Sequence, residues 1–205
     1  MRHLRCLTLI LRLFVLTSLV GLGAASSALA RNGLLGLFFD ENASECTGDV
    51  GPGATKTLYV VLVPDGDTRG GITGAEFRVD IDDATSYVFQ GEEIVVPGAI
   101  KVGDALGSGI TLAWPECQSN LVIPILSFQV LNFGSGASGA NVRIDHHGSP
   151  SHREFVCPLA VLCNGPVFDK VCVESGKAVL NPSQPSPCGP TTESAEWSRV
   201  KELYR

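Results

Sequence analysis

Apolar residues in the middle of this chain recur at every second position, a period that suits a half-buried β-strand and not a helix. In Ala75-Glu76-Phe77-Arg78-Val79-Asp80-Ile81 the spacing sends Ala75, Phe77, Val79 and Ile81 to one face and Glu76, Arg78 and Asp80 to the other. The first set is expected in a core and the second in water. Leu58 to Val63 and Leu121 to Leu131 are denser apolar runs, rich in Val, Ile and aromatics, and read as central strands covered on both sides. Pro124 has no N–H to give a ladder, so it predicts a bulge or an edge position in the second run.

Shorter strand candidates are Leu34 to Phe39, Glu93 to Val96, Ile110 to Trp114, Asn141 to Asp145, Leu159 to Cys163, Val171 to Val173 and Ala178 to Leu180. Turn formers separate them: Pro64-Asp65-Gly66-Asp67, Gly70-Gly71, Pro97-Gly98 and the Gly/Ser-rich stretch from Gly134 to Gly139. Short strands, frequent turns and almost no helical period predict an all-β antiparallel β-sandwich, with a jelly roll or barrel as the rival.

Both ends depart from this pattern. Arg2, Arg5 and Arg12 precede the apolar stretch Leu13 to Gly23, and Ala28-Leu29-Ala30 supplies a small-x-small cleavage site, so residues 1–30 read as a secretory signal peptide and the mature chain starts at Arg31. A bilayer needs about 20 apolar residues and this stretch is shorter, so the mature chain is not expected to span a membrane. At the other end, 181–190 holds four prolines and reads as a linker clipped by Cys188. Residues 191–205 read as an amphipathic helix: Glu193 and Glu196 sit early, Arg199, Lys201 and Arg205 late, and Trp197, Val200 and Tyr204 share a face. The sandwich domain between these ends spans 31–180.

The full chain carries 15 basic and 21 acidic residues, and removing the three leader arginines leaves 12 against 21, a net charge of −9. That excess, with no Lys/Arg cluster, argues against nucleic acid and anionic lipid as partners. Of seven cysteines, Cys6 leaves with the leader, and Cys46, Cys117, Cys157, Cys163, Cys172 and Cys188 form an even set expected to make three disulfides outside the cytoplasm. Fifteen pairings are open. Proximity across the turn Asn164-Gly165-Pro166 suggests Cys163 with Cys172. Zinc is the competing use of these cysteines, although no C-x-x-C occurs.

Few residues suggest chemistry. Asp145, His146, His147 and His152 are the candidate metal ligands, set against the alternative of a polar strand end running into Gly148-Ser149-Pro150. Asp65-Gly66-Asp67 and Asp80-Ile81-Asp82-Asp83 are acidic turns that would suit structural Ca²⁺, though neither has EF-hand spacing. No G-x-S-x-G or H-E-x-x-H occurs, Ser149, Ser151 and His152 are neighbours only in sequence, and Glu92-Glu93 reads as surface charge. No catalytic residue and no cofactor site is therefore assigned. Trp114, Phe128 and Tyr59 would line a carbohydrate- or peptide-binding surface if exposed, but a buried Trp114 beside a disulfide at Cys117 is the expectation. Asn42-Ala43-Ser44 is an N-glycosylation sequon, meaningful in a eukaryotic secretory pathway.

The stretch Thr57 to Ile81, with a strand, a Gly-rich turn and then Gly74-Ala75-Glu76-Phe77-Arg78-Val79, resembles the opening of cohesin-like and related carbohydrate-binding β-sandwich domains. The resemblance implies a cohesin-like variant of the sandwich, beside the Ig-like and jelly-roll alternatives. The ending Glu196 to Arg205 resembles that of many exported proteins of environmental bacteria, which implies a bacterial source and a tail used for docking or sorting. The leading expectation is a secreted or periplasmic, cell-surface, non-catalytic module binding a protein or carbohydrate. A secreted hydrolase and a structural envelope component are the alternatives.

Overall fold

Strand β1 (Leu34–Phe38) lies against β3 (Thr55–Val63), which in turn pairs with β8 (Ile123–Asn132). With β12 (Glu174–Ser175) and β5 (Tyr87–Ile94) at the edges they make a five-stranded sheet in the order β12-β1-β3-β8-β5. A second sheet runs β11-β10-β4-β9-β13-β2, from Lys170–Cys172, Leu159–Leu162, Ile72–Ile81, Ala140–Asp145, Lys177–Leu180 and Thr47–Gly48; β7 (Gly109–Gln118) also pairs with β4, and β6 (Ile100–Asp104) with β7. The computed structural model describes residues 32–134, 139–164, 169–184 and 188. The expected leader, the helix at 191–205, part of the 181–190 linker and part of the glycine-rich and Asn164 turns lie outside the described residues.

The expected alternation places the core between the sheets. Leu35, Leu37, Leu58, Val60, Leu62, Phe128 and Val130 of the first sheet meet Phe77, Val79, Ile110, Leu112, Trp114, Val142 and Ile144 of the second, all buried. Trp114 is 3% exposed, and its indole N–H donates to the Ile72 carbonyl at 3.0 Å, the partner a buried indole requires. Phe89 stands edge-on to Phe128 at 5.9 Å. Pro124 does coincide with a bulge: the register steps from Val60↔Leu126 to Val61↔Pro124, which leaves Ile125 as the extra residue. Strand β5 starts earlier than the Glu93 to Val96 expectation because a second irregularity, between Gln90 and Glu93 with Gly91 at φ 66°, interrupts its alternation.

Two expectations are corrected. Glu76 does not face water: it is 4% exposed. The segment 146–158 folds over its side of β4, the Ser151 N–H donates to one carboxylate oxygen at 3.0 Å and the Thr111 hydroxyl to the other at 3.1 Å. The disulfides are Cys46–Cys188, Cys117–Cys163 and Cys157–Cys172, so Cys163 does not pair with Cys172. Strand order is the reason. β7 and β10 both pair with the start of β4, which brings Cys117 and Cys163 together across it, and Cys172 lies opposite Leu159, two residues from Cys157.

Gly71 sits beneath the Cys117–Cys163 bridge at φ 98°, where a Cβ would lie 2.3 Å from the Cys117 Sγ. Both the left-handed backbone and the space demand glycine. Gly71→Ala is expected to cost about 1–3 kcal/mol from backbone strain before any displacement of the bridge. Thermal unfolding of the oxidised variant checks this, and an unchanged midpoint would refute it.

Candidate functional site

The outward face of the second sheet carries the surface features that distinguish this protein. On β7, Ile110 and Leu112 point into the core, and in the ladder Gly103 and Lys101 of β6 lie opposite them. The pleat therefore turns Ile100 and Val102 outward, beside Ala113 and Thr111. They are 70% and 67% exposed on a strand whose only ladder partner among the described residues is β7. Lys101 holds this edge in place by pairing with Glu92 of β5 in the other sheet, and Glu92 also accepts the Ala105 N–H at 3.2 Å. Glu92 is thus an anchor between the two sheet edges, where loose surface charge was expected. The sequence signal for the exposed pair was present in Ile100-Lys101-Val102, but two apolar residues beside glycines fall below what periodicity can resolve.

Further along the same face lies a charge network on β4 and β9. The Arg78 guanidinium bonds Asp80 at 2.8 Å and Asp145 at 3.0 Å, while Asp82 takes Arg143 at 2.9 Å and the Asn141 amide at 3.0 Å. Asp145 also accepts the backbone N–H of His146 at 2.7 Å and meets its ring at 2.8 Å. Burial is the largest influence on the Asp145 carboxyl and pushes it up, but the His146 hydrogen bonds and charge, with Arg78, outweigh it and hold the group below the ordinary aspartate value. Its contribution to stability is present above the ordinary aspartate range and is lost as pH falls through the depressed folded value.

The candidate metal ligands do not share a centre. Asp145 and His146 are together; His147 turns away, its ring packed on Gly109 and its Nδ1 accepting the Ser149 N–H at 3.0 Å. His152 stands 2.5 Å from the Lys170 ammonium and edge-on to Phe155. Among the described residues no group of three or more His, Cys, Asp or Glu is placed to hold one metal ion. The acidic turns are engaged with their own chain: Asp65 caps the short 3-10 helix Gly66–Gly70 and pairs with Arg69 at 2.7 Å, and Asp83 accepts from Thr85 and Ser86. The Thr85 and Ser86 bonds lower the Asp83 carboxyl to about 2. Asp83 therefore favours folding above the ordinary aspartate value, and that contribution is lost as pH falls through about 2. An NMR titration of the Asp83 carboxyl should find a midpoint well below that of an unstructured aspartate, restored toward it by Thr85→Ala; an ordinary midpoint in the native chain would refute the turn geometry.

Of the aromatics nominated for a carbohydrate surface, Trp114 and Phe128 belong to the core and Tyr59 is half-buried on the opposite sheet.

No family model matches the chain, and no curated protein matches it. Solved structures do. The cohesin module of a Clostridium perfringens family 33 glycoside hydrolase aligns over 74% of this chain and 97% of the module, with 7% identity and a TM-score of 0.52. The sixth cohesin of Acetivibrio cellulolyticus scaffoldin B, solved in complex with a Cel5 dockerin variant, aligns over 73% and 98% with 17% identity and a TM-score of 0.47. The first match carries the fold comparison, and at such identity it speaks for the fold alone. The protein is an all-β sandwich. Within that class its fold is cohesin-like, as the residues from Thr57 to Ile81 suggested.

Proposed function

We propose that this chain is an exported, non-catalytic module that binds a protein partner through the outward face of β6 and β7. The observation that carries the reading is the exposed pair Ile100 and Val102 on a sheet edge tied to β5 by the Lys101–Glu92 pair. Apolar side chains grouped on an outer strand favour a protein contact, and main-chain groups on the same edge add hydrogen-bonding capacity. The likeness to a cohesin module supports a binding role over catalysis. Export is supported by the leader pattern at 1–30 and by three disulfides, which persist in oxidising compartments. Among the described residues no helix is long and apolar enough to cross a membrane. A protein is preferred to a carbohydrate because two of the three aromatics nominated for sugar stacking lie in the core.

The test compares the exported chain with Ile100→Asp/Val102→Asp as bait against proteins secreted by the same cells. A protein retained by the parent and lost at least tenfold with the variant, whose melting is unchanged, is the expected result. Equal retention by both would place binding elsewhere, and retention of polysaccharide in place of protein would overturn the reading.

A further inference from the structure

On the outward face of the first sheet, one rung of the ladder gathers polar groups that the fold itself leaves unused. Tyr59 of β3 lies opposite Ser127 of β8, and Ser127 lies opposite Glu93 of β5. Leu58, Val60, Leu126 and Phe128, the neighbours of Tyr59 and Ser127 in their strands, are fully buried between the sheets, so the pleat turns this rung outward. Residues directly opposite in a ladder hold their Cβ atoms about 4.5–5.5 Å apart, which sets a ring, a hydroxyl and a carboxylate side by side.

A second carboxylate reaches the rung from the turn after β1. Asp40 accepts the N–H groups of Asn42 at 2.8 Å, Ser44 at 3.1 Å and Glu45 at 2.6 Å, and the turn so shaped brings Glu41 to the Tyr59 phenol. Burial, then Glu41, then Glu93 push that phenol above the ordinary tyrosine value, so the ring stays neutral between two negative charges. Its inner edge packs on the apolar cluster of Phe38, Ala43, Cys46 and Val61.

Three groups here lack the partner their chemistry calls for. Ser127 is 9% exposed, yet its hydroxyl has no hydrogen-bond partner among the described residues. No basic side chain among the described residues pairs with Glu41 or Glu93. Lys56, three residues before Tyr59 on the same strand, lies on the other side of β3 and over the Phe39 ring at 4.5 Å. A primary ammonium supplies what is missing: its three donors suit two carboxylates and a hydroxyl, and its methylene stem suits an aromatic face. A guanidinium suits the site less, because its donors are coplanar and these acceptors come from two strands and a turn. We propose that this rung binds a lysine side chain of a partner polypeptide, with the ammonium between Glu41 and Glu93, in reach of the Ser127 hydroxyl, and the stem along the Tyr59 ring. Leu34, Val63 and Val122, partly buried on the same cluster as Tyr59, offer the rest of the polypeptide an apolar strip. The acidic excess of the chain favours a basic partner in the same sense. The inference is independent of the partner surface on the second sheet.

The test follows the NMR signals of the Tyr59 ring and the Ser127 amide in the disulfide-bonded chain as an acetylated, amidated Gly-Lys-Gly peptide is added. Saturable shifts at both positions are expected, and they should weaken as salt is raised. Glu93→Gln, at an exposed position, should weaken binding about two- to fivefold, the range for one exposed ion pair, and Glu41→Gln/Glu93→Gln about tenfold. Ser127→Ala should weaken it while leaving the salt response intact, with unchanged amide signals elsewhere reporting an intact fold. Equal shifts with norleucine in place of lysine would overturn the proposal, as would shifts that do not saturate or that survive loss of both carboxylates. Tighter binding of the arginine peptide would overturn the choice of lysine. Shifts produced by cellobiose and not by the lysine peptide would assign the face to carbohydrate, and shifts that grow with protein concentration alone would assign it to a second copy; either result would overturn the proposal.

Discussion

Replacing Phe77 with alanine is expected to lower the unfolding free energy by about 3–5 kcal/mol, the range for emptying a buried aromatic site. Phe77 is fully buried on β4, which pairs with β7, β9 and β10 and therefore cannot move toward the void without disturbing three neighbours. The rigid surroundings keep the cavity open, and the cost should fall at the upper part of the range. By contrast, Ile100→Ala at the exposed edge should stay within about 0.5 kcal/mol, since little of its surface is removed from water. Equilibrium denaturation of both variants checks the pair. A loss below about 1 kcal/mol for Phe77→Ala would contradict the packing of the two sheets.

Removing the Cys46–Cys188 bridge with a double alanine substitution should cost about 2–5 kcal/mol and exceed the loss from removing Cys157–Cys172. The first closes a sequence separation of 142 residues and the second one of 15. Restraint of the unfolded chain grows with the logarithm of loop length, which separates the two by roughly 1–2 kcal/mol. The long bridge also holds Cys188 against the cluster of Phe38, Ala43 and Val61, so its loss removes that packing as well. Denaturation of the two double variants under oxidising conditions gives the order. A larger loss from the short bridge would show that contacts in the native state outweigh chain restraint.

Residues acting within one strand were readable in advance. The alternation from Ala75 to Ile81 identified Phe77 and Val79 as core, and Pro124 marked its bulge, because side-chain period and a missing N–H act locally. The even set of six cysteines told that three bridges would form. Where contacts came from distant segments the reading stopped. Glu76 obeys its period and points away from the main core, yet it is buried because residues 146–158 return over it. Cys163 chose Cys117 over its nearer neighbour Cys172 because β7 and β10 meet at the start of β4. Asp145, His146, His147 and His152 crowd together in the chain, but in space only Asp145 and His146 pair, while His147 and His152 take other partners.

The sequence by itself determined that this protein is a two-faced β-structure with a disulfide framework, since both follow from residue type and short-range spacing. The tertiary structure alone decided which cysteines pair, which outward faces are covered and which apolar residues stay exposed. Period two distinguishes one side of a strand from the other, but whether water reaches a given side depends on segments far away in the chain.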